Sequence, residues 1–167
     1  TCFPITESES AFEYLQKAKN IGKVVLTLPT GKELKIDPIG SYLITGGLGG
    51  LGLKVAEWLV KQGAKHLVLA GRRIGQKIYL PNATVETAAI DISQMSAVDE
   101  LMQKFGREWP ELKGIIHAAG IIDDGVLPSQ DWSRFQKVFA PKIQGSWNLH
   151  EASLAKPLDF FVLFSSI

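Results

Sequence analysis

Apolar and polar positions change period several times along this chain, and each change marks an element. Over residues 8–19, Ala11, Tyr14, Leu15 and Ala18 recur at helical spacing behind the cap-type oxygens and first-turn carboxylates of Thr6-Glu7-Ser8-Glu9. That pattern predicts one amphipathic helix. Asn20-Ile21-Gly22 ends it, residues 23–28 read as a short β-branched strand, and turn formers at Pro29-Thr30-Gly31 and Asp37-Pro38-Ile39-Gly40 bracket a linker. A boundary is therefore expected near residue 38, separating 1–37 from 38–167.

From Ser41 onward the period alternates between strand and helix. Strands are expected at 42–45, 65–70, 84–89, 112–117 and 158–165, and helices at 51–62, 95–109 and 129–154, the last broken near Pro141. Val98, Leu101, Met102 and Phe105 share one face of the middle helix. Strands alternating with helices imply an α/β fold, a Rossmann-type doubly wound parallel sheet whose ligand lies beyond the carboxyl ends of the strands.

Composition narrows the class. The 167 residues are 46% hydrophobic and 21% charged, as in an ordinary soluble domain, and 18 Lys and Arg against 17 Asp and Glu leave a net charge of +1. So small a charge offers no field for nucleic acid or an anionic membrane. The one cysteine, Cys2, excludes an internal disulfide or a Cys cluster for metal, and the three histidines lack metal-ligand spacing. A cytoplasmic setting is expected. No apolar run spans a bilayer, and residues 1–10 lack the basic and apolar regions of a signal peptide. Without an initiator Met, the chain reads as an excerpt of something longer.

The run Thr45-Gly46-Gly47-Leu48-Gly49-Gly50-Leu51-Gly52 follows a strand and opens a helix. There, backbone must approach a pyrophosphate closely, with the amides and positive end of the helix facing the phosphates. Gly46, Gly50 and Gly52 fit one spacing of the dinucleotide motif, and Gly47, Gly49 and Gly52 fit another. After the second strand stand Arg72 and Arg73 instead of the acidic residue that holds a ribose diol in NAD sites. Guanidinium forks suit a 2′-phosphate and so favour NADPH, the alternative being a solvated basic turn. Asp91 and Ile92, after the third strand, either receive the adenine, by hydrogen bond and packing, or Asp91 caps the next helix.

With these motifs stand His117-Ala118-Ala119-Gly120, Phe164-Ser165-Ser166 and Ala140-Pro141-Lys142-Ile143-Gln144-Gly145-Ser146-Trp147-Asn148-Leu149-His150. Together they resemble the ketoreductase domains of modular polyketide synthases, members of the short-chain dehydrogenase/reductase superfamily, from about residue 40 to the end. Residues 3–28 resemble the closing helix and strand of the enoylreductase domain that precedes this half in fully reducing modules.

The resemblance implies NADPH-dependent reduction of the β-keto group of an acyl chain held as a phosphopantetheine thioester on an acyl carrier protein, among the other domains of the module. Ser166 matches the family's active-site serine and Lys142 its lysine, whose ammonium favours the phenolate of a neighbouring tyrosine and holds ribose or a relay water. By residue type alone, Lys142 is an exposed helix lysine and Ser165-Ser166 a strand-ending turn. Ala118, Ala119 and Gly120 keep side chains small where ribose and nicotinamide pass, and His117 is structural. Ile122-Asp123-Asp124 resembles the Leu-Asp-Asp signature of B-type ketoreductases with Ile for Leu, and Asp124 becomes a substrate-entry residue. The family's tyrosine and asparagine fall beyond Ile167, so the fold is expected to be incomplete at its C-terminal end and these 167 residues inactive alone. The competing reading is a non-catalytic NADP-binding or scaffolding domain.

Overall fold

Five residues in succession at 41–45 exclude water on both sides, the pattern of a central strand in a parallel sheet covered on both faces. The structure is a computed structural model and describes residues 1–19, 21–27, 35–75 and 77–165. Those residues form two units, Thr1–Lys35 and Ile36–Ile167.

In the first unit, β1 (Cys2–Pro4) pairs in parallel with β2 (Val25–Thr27), and α1 (Ser8–Gln16) lies between them in sequence. The Phe3 and Tyr14 rings meet at 5.6 Å. The helix stops three residues short of the expected end because Ala18 turns to φ 49°, a left-handed conformation incompatible with continuing it. The strand is likewise shorter than expected; Leu28 lies outside the described residues.

The second unit is built on β3 (Ser41–Thr45), β4 (His66–Gly71), β5 (Thr84–Ala89), β6 (Leu112–His117) and β7 (Phe160–Leu163), all parallel in the order β5-β4-β3-β6-β7. Side chains alternate across it. Tyr42, Ile44, Leu67 and Leu69 point to one face with Ala56 and Leu59 of α2 (Gly50–Lys61). On the other, Leu43, Val68 and Ile115 pack with Val98 and Leu101 of α3 (Met95–Met102) and Leu149 of α5 (Gly145–Ser153). Helices on both faces of a parallel sheet are the doubly wound arrangement the alternation predicts. At the amino ends of the strands, buried Ser41 donates from Oγ to Pro110 O at 2.8 Å and meets His66 Nδ1 at 2.9 Å, beside Trp109.

Two helices differ from the sequence expectation. The one expected over 95–109 closes at Met102; beyond it Gly106, at φ +84°, donates its N–H to Trp109 O, folding the chain into turns. The one expected over 129–154 begins at α4 (Trp132–Phe139), where Asp131 accepts from Arg134 N as N-cap, passes through a π-helical turn (Ala140–Gln144), and resumes as α5. Pro141 lacks the N–H an α-helix needs there, and the chain accommodates it by widening one turn. The strand expected over 158–165 is confined to β7.

Candidate functional site

The strand order reverses between β3 and β6, and a cleft of about 900 Å³ opens there beyond the carboxyl ends of the strands. Its floor is the glycine turn. Gly46 sits at φ +68°, and a Cβ would come within 2.7 Å of the Ala118 carbonyl and the Ala119 nitrogen, so only glycine lets the turn cross the end of β6. A Cβ on Gly52 would run into Gly46 O, whereas one on Gly50 would meet nothing within 4 Å. Gly46 and Gly52 are thus fixed by close contact, and Gly50 is open to the cleft. Gly47 is as constrained, since a Cβ there would meet Ile44 O at 2.6 Å and Leu69 at 3.0 Å, so both glycine spacings are compatible with the turn.

The amides divide too. Gly46 and Gly47 donate to Ala70 O and Gly49 donates to Gly46 O, so those three are spent inside the turn. Leu53 N–H makes the first helical bond, to Gly49 O, and the amides of Gly50, Leu51 and Gly52 precede it without i−4 partners by helix geometry. The amide cradle is thus the first turn of α2, narrower than the whole run 45–52. Thr45 is fully buried and gives its side chain to His117.

Arg72 and Arg73 are exposed at the mouth of the cleft, following β4. Asp91 lines it as well, but its Oδ1 accepts from Ser93 N at 3.0 Å and Ser93 Oγ at 2.7 Å, and these bonds, more than the nearby Arg72, hold its carboxyl below the usual range. Asp91 does not cap α3, whose N-cap is Gln94. It closes the turn before it. Ile92 is 5% exposed, a core residue under Gly145 that also forms cleft wall. Ala118, Ala119 and Gly120 complete the lining, joined by Lys137, which sequence reasoning did not single out. Only knowing that α4 passes over the cleft would have found it.

An adjoining cavity shares Ala118, Gly120 and Ile122 with the cleft and is lined further by Asp123, Asp124, Arg134, Lys142 and Ser165. Lys142 crosses Gly120 so closely that a Cβ there would meet Lys142 Cε at 3.3 Å. Arg134 clamps the loop: its Nε donates to Asp123 Oδ1 at 2.9 Å, one Nη also reaches Asp123 Oδ1 and Asp124 O, and the other reaches Ser129 O. This pairing lowers the Asp123 carboxyl's pKa. It also marks Asp123 as a structural anchor and leaves Asp124 as the loop carboxylate lining the cavity outside it. Ser166 lies outside the described residues.

The residues present fit a dinucleotide: a bare glycine face, helix-first amides, and two exposed arginines at the cleft mouth. No group of three or more His, Cys, Asp or Glu suited to a metal occurs among the described residues.

Comparison with known proteins agrees. The family model of the KR domain matches residues 40–167. The spectinabilin polyketide synthase system protein NorB of Streptomyces orinoci is 40% identical over 97% of this chain, and the phenolphthiocerol synthesis polyketide synthase type I Pks15/1 of Mycobacterium marinum is 35% identical over 100% of it. The chain spans 8% of the length of each of those proteins. An N-terminal ketoreductase from the macrolactin assembly line superposes with a TM-score of 0.72 at 28% identity, over 99% of this chain and 38% of that one. With the glycine turn, the arginine pair and residues 118–120 lining one cleft, and the match covering all of the second unit but its first few residues, the chain belongs to the ketoreductase (KR) domain family of polyketide synthases.

Proposed function

We propose that this chain contributes the cofactor half of a ketoreductase that reduces the β-keto group of an acyl-carrier-bound β-ketoacyl thioester to the hydroxyl, with NADPH as reductant. The observation that carries this reading is the conjunction of the Gly46–Gly52 cradle with Arg72 and Arg73 at one cleft mouth. NADPH, when bound, supplies the hydride. The amides of Gly50, Leu51 and Gly52 face the diphosphate and the two guanidinium groups the 2′-phosphate, while the small residues 118–120 leave room for the nicotinamide ribose.

Lys142 beside Gly120 supplies positive charge next to the reacting end, Ser166 donates to the carbonyl oxygen as charge develops there, and Asp124 faces incoming substrate. The proton donor in this reading is a tyrosine, with Lys142 the cation that favours its phenolate. The Ile122-Asp123-Asp124 loop favours B-type product configuration. In this reading residues 3–28 are the closing helix and strand of an enoylreductase domain; the partners are the carrier protein and neighbouring module domains, in the cytoplasm. Lys142 at the cavity argues for an enzyme over a scaffold.

Titration of the protein with NADPH and with NADH tests the cofactor assignment. Replacing Arg72 and Arg73 together by Ala should weaken NADPH by about two to four orders of magnitude, from loss of charge-assisted bonds worth roughly 1.5–3 kcal/mol each, and NADH far less. Equal losses for both nucleotides would remove the phosphate contact.

A further inference from the structure

His117 ends β6 directly opposite Thr45 at the end of β3, in register, and is 3% exposed. Its ring makes two contacts. Nε2 lies 3.0 Å from Pro141 O, and Nδ1 lies 2.5 Å from Thr45 Oγ1. A carbonyl oxygen only accepts, so Nε2 carries the proton and Nδ1 accepts from the threonine hydroxyl. Burial, opposed by the bond to Pro141 and aided by the charge of Lys142, lowers the ring's pKa and keeps it neutral.

The oxygen that His117 reaches is the one the π-turn passes over. In an α-helix Gly145 N–H would bond Pro141 O; here it bonds Ala140 O, one residue further back. Lys142 is the next residue. Each residue of an α-helix turns by about 100°, so restoring α register around Pro141 would swing one flank of the turn by that much relative to the other and take the lysine stem off Gly120.

We infer that His117 is a positioning residue: by donating to Pro141 O it holds the widened turn that keeps Lys142 over Gly120, at the junction of cleft and cavity. The inference rests on the reductase reading for its functional meaning, and on the hydrogen-bond geometry alone for the placement of Lys142.

The test uses side chains of different reach in the intact protein. In His117→Gln the amide nitrogen reaches as far as Nε2 and keeps a donor for Pro141 O; in His117→Asn it reaches only the Nδ1 position. Site-resolved acetylation by acetic anhydride, read by peptide mass spectrometry, reports the accessibility of each lysine without cofactor or turnover. His117→Asn should raise labelling of Lys142 several-fold against the exposed Lys54 as internal reference, and His117→Gln should return it to the wild-type rate. Should His117→Asn fail to fold by circular dichroism, His117→Met, of similar bulk and without a donor, replaces it with the same expectation. Wild-type labelling of Lys142 in the variants that cannot reach Pro141 O, or His117→Gln behaving like them, overturns the inference. In the turnover assay with a β-ketoacyl thioester, His117→Asn should lower kcat by about tenfold or more, as misplacement of a catalytic group does, with KM for NADPH nearly unchanged and His117→Gln restoring the rate. A wild-type protein that takes up no NADPH would count against the reductase reading and leave the labelling to decide the role of His117.

Discussion

Two histidines, His117 buried and His66 half-buried, share one electrostatic problem. His66 and His117 are both held below the ordinary value of 6.5, in each case chiefly because burial penalises the charged ring. A ring that folding keeps neutral takes up its proton more readily in the unfolded chain. Its contribution to stability is therefore complete above about pH 6.5 and is lost as pH falls from there through the lower folded value. Denaturant midpoints measured between pH 7.5 and 5 should fall, and His117→Gln should flatten part of that fall. An unchanged slope in that variant would mean that the His117 ring takes up its proton at the same pH in the folded and unfolded chain. The lowered carboxyls of Asp91, Asp123 and Asp131 act in a separate window, since their ordinary value is 3.8 and the protection they give is lost only below it. At this scale the sequence was half legible. Glycines and arginines announce themselves by type, but the Thr45–His117 pair, 72 positions apart, becomes a contact only once β3 and β6 are known to be neighbours.

Among the elements, the stretch between β6 and α4 is held by side chains as well as by the backbone bonds of its short turn. Only a three-residue 3-10 turn (Leu127–Ser129) interrupts it, and Arg134 ties its first half to the helix, with Gln130 Nε2 donating to Gly125 O at 3.0 Å. A Cβ on Gly125 would press into the Arg134 guanidinium, so the loop and the arginine fit face to face. Arg134→Gln should accelerate limited proteolysis within 121–127 while circular dichroism of the sheet and helices stays as in the wild type. Protection equal to wild type would show that backbone alone holds the loop. The clamp was not readable beforehand, because an ion pair across 11 residues of irregular chain leaves no periodic trace. Helix ends were misjudged for a related reason. Ser129 and Asp131 are both competent caps, and only the backbone bond from Arg134 to Asp131 decides between them. The central strands were read within a residue or two, because burial on both faces writes itself as an unbroken apolar run.

For the whole second unit, the sheet separates two apolar layers that share no helix. Leu59 of α2 belongs to one and Leu101 of α3 to the other, and both are almost completely buried. Each Leu→Ala change should cost about 2–5 kcal/mol by transfer and cavity formation. Because the sheet stands between them, the double variant should equal the sum of the singles to within about 0.5 kcal/mol in denaturant unfolding. A larger departure would mean that the sheet itself rearranges.

All five strands run in the same direction, and this gives the unit two unlike poles. At one, chain ends emerge as the glycine turn, the arginine pair and the Asp91 corner. At the other, Ser41, His66 and Trp109 lock the strand starts together, roughly 15–20 Å away at about 3.3 Å per strand residue. That far pole is ballast. A fluorescent tag or affinity sequence inserted at its exposed turn after α2 would travel with the molecule yet stay out of reach of whatever occupies the opposite end.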